Sequence, residues 1–224
     1  MTSIPALTMV SLGIKAHRFS VMLLASLCAT VAMSQQLQEG DLLFTCSDVP
    51  NVITRVTSGT DSLPIDHVGI VHRIGGITGP LFVIEAVKPM VCLTPIDSFL
   101  CRNTSEVMPQ VMVGRINVEC DMARSVRRCL MMVGKPYDDL YLPGDSAIYC
   151  SELVQMNYVT AAGEAVFAPI PMSFHDRTGR ILDEWIDFYS RHGMQVPEGE
   201  PGSNPGELSR RRQVSIIGPY PLLL

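Results

Sequence analysis

The chain has 224 residues, 47% of them hydrophobic and 17% charged, with a formal net charge of -5 and a pI near 5.5. That length suits one domain with a sizeable core, and the apolar fraction excludes general disorder. The acidic balance argues against a general nucleic-acid binder, which is usually basic.

The first stretch reads as a targeting segment. Lys15, His17 and Arg18 form a basic region, Phe19 to Met33 is uncharged and apolar, and Ala32-Met33-Ser34 sets small residues where a signal peptidase reads. A signal peptide over residues 1–34 is predicted, cleaved before Gln35 and sending the chain to the periplasm or outside a bacterial cell. The apolar run is shorter than the roughly 20 residues a spanning helix needs, so no stable membrane span is expected after cleavage. Leu27 stands where lipid attachment at Cys28 would need a small residue, and Met9 and Met22 are alternative starts.

Downstream, Gly40 to Phe44 reads as a short strand and Val49 to Thr57 as a short helix closed by Gly59. The β-branched run His67 to Val71 predicts a strand, Arg73 to Pro80 a glycine-rich turn, and Leu81 to Val87 the returning strand. Val91 to Thr94 and Val111 to Ile116 are further strands, with a short helix from Pro95 between them. Met122, Val126, Leu130 and Val133 recur at helical spacing, with Arg124, Arg127 and Arg128 off that stripe. Met131 and Met132 are read as packing residues. Helices are predicted over 150–162 and 181–191, stopped by Gly163 and Gly193. Two domain limits follow: a folded domain over 35–196, and a Pro/Gly-rich tail over 197–224, extended or mobile, carrying Arg210-Arg211-Arg212.

Cys150 opens its helix directly after a loop. A helix N-terminus presents free N–H groups and a positive dipole end, which favour a thiolate, and a thiolate with an imidazole in reach is a nucleophile with its base. The alternative is a small buried cysteine, the reading preferred for most of the other cysteines. His67 is the candidate base. Pairing the two strands about Gly76 sets His67 opposite Glu85, where directly opposed residues share a face with Cβ atoms roughly 4.5–5.5 Å apart. Glu85 would then orient the imidazole, whereas Asp66 and His72 point to the other face. Glu85 alone would equally suit a buried carboxylate bonded to backbone or water. Tyr137 either donates its hydroxyl near the site or packs under the loop.

No metal is expected. There is no C-x-x-C spacing, and Asp138, Asp139 and Asp145 lack the EF-hand pattern. With Cys150 set aside, the remaining cysteines of the mature chain are odd in number, so not all can pair; Cys92 and Cys101 could bridge a local loop.

Taken in order, Gly40-Asp41-Leu42-Leu43-Phe44, Asp66-His67-Val68-Gly69-Ile70, Val83-Ile84-Glu85-Ala86-Val87, Gly134-Lys135-Pro136-Tyr137-Asp138 and Tyr149-Cys150-Ser151-Glu152-Leu153-Val154 resemble the YaeF/YiiX group of permuted, papain-like, NlpC-type cysteine hydrolases. The histidine precedes the cysteine, the reverse of the papain order. The resemblance runs from about Gly40 to about Ser209 and leaves out the last stretch, Arg210 to Leu224. It implies an α+β fold, with the cysteine helix packed on an antiparallel sheet that carries the histidine. It also implies Cys150 as nucleophile, His67 as base, Glu85 as third member and Tyr137 near the substrate. The expected activity is a cofactor-free thiol amidase or peptidase acting on a cell-wall peptide or γ-glutamyl-type amide. Acyl transfer or hydrolysis on a lipid by the same residues, or a non-catalytic binding module, are the alternatives.

Overall fold

Alternating and continuous apolar runs between Gly40 and Ile116 build the sheet that organises the molecule. A computed structural model describes residues 36–220 apart from 77, 104–109 and 145. The chain divides into residues 1–36 and 37–224, and all that follows concerns the second unit. Residues 1–35, Cys28 included, lie outside the described residues, as does Asp145.

The strands are β1 (Leu42–Cys46), β2 (Ile65–Arg73), β3 (Leu81–Val87), β4 (Met90–Pro95), β5 (Val111–Ile116) and β8 (Val214–Pro219). They form one six-stranded sheet in the order β4-β3-β2-β1-β5-β8, each neighbouring pair antiparallel. β1 lies inside the sheet and is buried along its whole length. Leu42 and Phe44 enter the larger core, while Leu43 enters a smaller one with Phe99. That is the burial expected of a strand covered on both faces.

Phe99 belongs to α2 (Ile96–Arg102), which follows β4 directly. The larger core is closed by α3 (Met122–Met131) and α4 (Cys150–Asn157), through Val126, Cys129, Leu153 and Val154. Met132 packs against this core as expected, but Met131 is 65% exposed. A third cluster gathers Met172, Phe174, Leu182, Trp185 and Tyr189 around α5 (Asp183–Arg191). The remaining helix of the first half is α1 (Val52–Val56), N-capped by Asn51, which accepts from the Ile53 and Thr54 amides.

Three sequence expectations are corrected here. The helix expected over 150–162 stops at Asn157. Val159 instead bridges to Ala165, and its amide donates to Ser125 Oγ at 3.0 Å, so tertiary bonding outweighs local propensity. The β2–β3 register is two residues from the one expected, because Ile70 pairs with Ile84 and Arg73 with Leu81. Finally, residues from Pro197 onward are not a loose tail. Pro201–Gly202 (β7) pairs with Ile170–Pro171 (β6), and Pro205–Ser209 forms α6, capped by Asn204 with Pro205 in its first turn. β8 then completes the edge of the main sheet beside β5. Among the described residues, no helix is long and apolar enough to cross a membrane.

Candidate active site

The C-terminal end of β1, the N-terminal end of β2 and the C-terminal end of β3 meet at one end of the sheet. His67 sits near the start of β2, across from Thr45 of β1. Continuing the observed β2–β3 register puts Gly69, not His67, opposite Glu85, and a Cβ at Gly69 would lie 3.6 Å from Glu85 Cβ. His67 and Glu85 are therefore diagonal neighbours. Since side chains alternate with period two, a slip of two residues leaves them on the same face, and long side chains reach across a diagonal. A Cβ at Gly69 would also clash with Val83 Cγ1, so a side chain at this position would crowd the face that His67 and Glu85 share. His67 Nε2 meets Glu85 Oε2 at 2.8 Å.

Glu85 is fully buried and satisfied on both oxygens. Thr94 Oγ1 donates to Oε1 at 2.5 Å, and Arg102 Nη2 bridges Oε1 and Oε2 at 2.7 Å each. Arg102 comes from the last turn of α2, and its guanidinium lies 5.5 Å from the Phe99 ring centroid. Burial by itself would raise the Glu85 carboxyl. The His67 bond and charge, with Arg102 and Thr94, overcome it and hold the group at about 2. Burial likewise opposes the His67 imidazolium. Hydrogen bonds to Cys150 and Glu85, and the charges of both, outweigh that and push His67 up to about 10. The His67 side chain is 18% exposed. With Nε2 given to Glu85, Nδ1 is the ring nitrogen left for Cys150.

Cys150 is buried at the first position of α4. The preceding Tyr149 offers no side-chain cap, so the first-turn amides have no partner from that residue. Glu152 sits in the first turn of α4, close to the Tyr149 amide. Glu152 is 5% exposed and its Oε2 has no hydrogen-bond partner. Burial, aided by the nearby Asp138 charge, pushes its carboxyl up to about 8. Tyr149 turns its hydroxyl away to accept the Ser203 amide at 3.0 Å.

Tyr137 is close enough to feel a charge on Cys150, and Tyr141 is near it; burial pushes both phenols up. Asp66 serves other partners, accepting from Asn51 Nδ2 at 2.7 Å and from Thr45 Oγ1 at 3.3 Å. His72 Nδ1 meets Glu39 Oε1 at 2.7 Å. Cys92 carries a free thiol, so the local bridge to Cys101 is not made. Burial raises the thiols of Cys46 and Cys129, which sit in the larger core as packing residues. Among the described residues, no group of three or more His, Cys, Asp or Glu side chains is placed to hold a metal ion.

Beside Cys150 opens a small apolar cavity of about 30 Å³, lined mainly by Ile53, Val56, Tyr141, Met172, Phe174 and Trp185. Ser203, Asn204 and Pro205 close it from the C-terminal region. Sequence reading missed Thr94, Arg102, Tyr141 and Trp185. The Thr94 spacing on β4 was available as a signal, but nothing local tied Trp185 to the cysteine.

Comparison with known proteins bears on the family and the fold. No curated protein matches the sequence. A solved structure described as the metalloprotein YiiX from Escherichia coli O157:H7 shares the fold, with a TM-score of 0.64 at 20% identity. The match covers 82% of this chain and 98% of that one. Residues 36–182 match the family described as permuted papain-like amidase enzymes, YaeF/YiiX, C92. A helix-borne cysteine, a strand-borne histidine earlier in the chain and a family match across most of the folded unit lead to one assignment: the chain belongs to the permuted papain-like amidases of the YaeF/YiiX family.

Proposed function

We propose that this amidase is an exported thiol hydrolase in which Cys150 is the nucleophile, His67 the acid and base, and Glu85 the group that orients His67. The observation that carries the reading is the His67–Glu85 pair at 2.8 Å, anchored by Arg102, with Cys150 near enough to His67 to raise its imidazole. Cys150 Sγ attacks the substrate carbonyl, and the Cys150 amide at the start of α4 stabilises the oxyanion. The His67 imidazolium gives its Nδ1 proton to the leaving amine as the C–N bond breaks. Neutral His67 then takes a proton from water, which attacks the thioester and returns the thiol. Tyr137, through Tyr141, helps shape the substrate side of the cleft. The leader-like first stretch supports export, and with it a cell-wall peptide or γ-glutamyl-type amide as substrate.

A second reading is favoured by the apolar lining of the cavity beside Cys150: hydrolysis or transfer of a lipid acyl group by the same residues. A pure binding module is opposed by the complete Cys150, His67 and Glu85 set.

The test is to incubate the mature protein with peptidoglycan fragments and, separately, with lipid esters, and to identify products by mass spectrometry. Amine release from peptides supports the first reading, and acyl release from esters supports the second. Cys150→Ala should lower either turnover by about 10⁴-fold or more with the fold retained. Substantial activity in that variant overturns the mechanism.

A further inference from the structure

α1 is a wall shared by two cavities. Ile53 and Val56 border the apolar one beside Cys150, while Arg55 and Val56 border an open cleft of about 500 Å³ with a different chemistry. Three arginines from distant parts of the chain converge on this second cleft: Arg55 of α1, Arg177 ahead of α5, and Arg210 just after α6. Such a convergence is notable in a chain whose net charge is -5.

Two of these side chains are held by one residue. Arg210 Nε donates to the Ser58 carbonyl at 2.9 Å, and Arg177 Nη2 lies 3.5 Å from Ser58 Oγ. Arg55 is paired with Glu184, and Arg211, the neighbour of Arg210, with Glu207. Among the described residues, neither Arg177 nor Arg210 forms an ion pair. Asp61 also borders the cleft, in a left-handed backbone conformation (φ 48°), so the cleft is not uniformly basic. Two guanidinium groups held toward the same residue repel each other, and a polyvalent oxyanion between them would relieve that cost. The planar fork of arginine matches the oxygens of a phosphate.

We propose that this cleft binds a phosphate group, held by Arg177 and Arg210. The phosphate is either free or the headgroup of an ester whose apolar part lies across α1 in the cavity beside Cys150. The anion site does not depend on the hydrolase reading; only the headgroup source rests on it.

Calorimetric titration of full-length Cys150→Ala protein at low salt tests the site, with inorganic phosphate as one probe and monomeric dihexanoyl phosphatidic acid as the other. Phosphate should bind with one site per chain and weaken as salt is raised. The double variant Arg177→Gln/Arg210→Gln should bind it at least about tenfold more weakly, with an unchanged melting temperature. Arg212→Gln, the loss of one positive charge at an exposed position outside the cleft, should leave binding intact. Trp185, the single tryptophan of the chain, lines the apolar cavity and reports its occupancy by fluorescence. Tighter binding of the lipid together with a change in Trp185 emission identifies the headgroup as the source. Equal binding with unchanged emission identifies free phosphate. Absence of phosphate binding, or binding that survives loss of both arginines, overturns the site. Since Cys150 is already replaced, neither result bears on the nucleophile.

Discussion

His67, Thr94 and Arg102 all converge on the Glu85 carboxylate, so removing its charge disturbs each of them. Glu85→Gln should slow turnover by about 10²–10⁴-fold, because the imidazole loses the group that orients it and stabilises its charged form. It should also move the alkaline limb of the activity profile down, since Glu85 is one of the groups that lift His67 from 6.5 to about 10. Asp66→Asn should do much less, because Asp66 is engaged with Asn51 and Thr45. Steady-state rates across pH check this, with thermal unfolding to establish that the two variants are equally folded. A more damaging Asp66→Asn would move the third member of the site elsewhere. The stability sign is separate. Glu85, held at about 2 instead of 4.5, contributes stability above its unfolded value that is lost as pH falls toward 2. His67 contributes stability below 6.5 that is lost as pH rises through 10.

At the scale of the element, the start of α4 has no side-chain cap. Tyr149 offers no side-chain acceptor, which leaves first-turn amides available to an oxyanion, and Glu152 is buried in that same turn. The cost is a buried carboxyl with an unpartnered oxygen, raised to about 8. Between 4.5 and 8 the folded chain holds a proton on Glu152 that the unfolded chain releases, so stability from this group falls as pH rises through that window. Glu152→Gln, neutral at every pH, should flatten the decline. Urea unfolding at about pH 5 and about pH 9 measures it. The same decline in the variant would assign it to another group.

For the whole molecule, the decisive feature is the return of the chain after Val196. α6 buries Leu208 and Ser209, the Thr60 amide donates to Ser209 Oγ at 2.9 Å, and β8 covers the edge of β5. The family match ends at residue 182, yet the sheet is incomplete without residues beyond it. Truncation after Val196 should therefore abolish cooperative thermal unfolding and expose an unpaired β5 edge that promotes aggregation. Circular dichroism melts with light scattering check this. A truncated chain with an unchanged midpoint would make the C-terminal region dispensable to the fold.

What the sequence by itself determined is what depends on near neighbours. β3 and β5 follow their apolar runs residue for residue, α3 follows its helical stripe as far as Leu130 with exposed Val133 past its end, and Cys150 begins α4 as its place after the loop implied. The shared face of His67 and Glu85 was also legible, because alternation along a strand survives a slip of two residues even when the assumed pairing does not. Tertiary structure decided the rest. The register depended on the whole hairpin and on its packing against Phe99, not on the central glycine of the turn. Arg102 reaches Glu85 only because α2 folds back along β3, and the Pro/Gly-rich end becomes helix and strand only because β5 offers an open edge. Those choices rest on contacts between residues far apart in the chain, which no local pattern encodes.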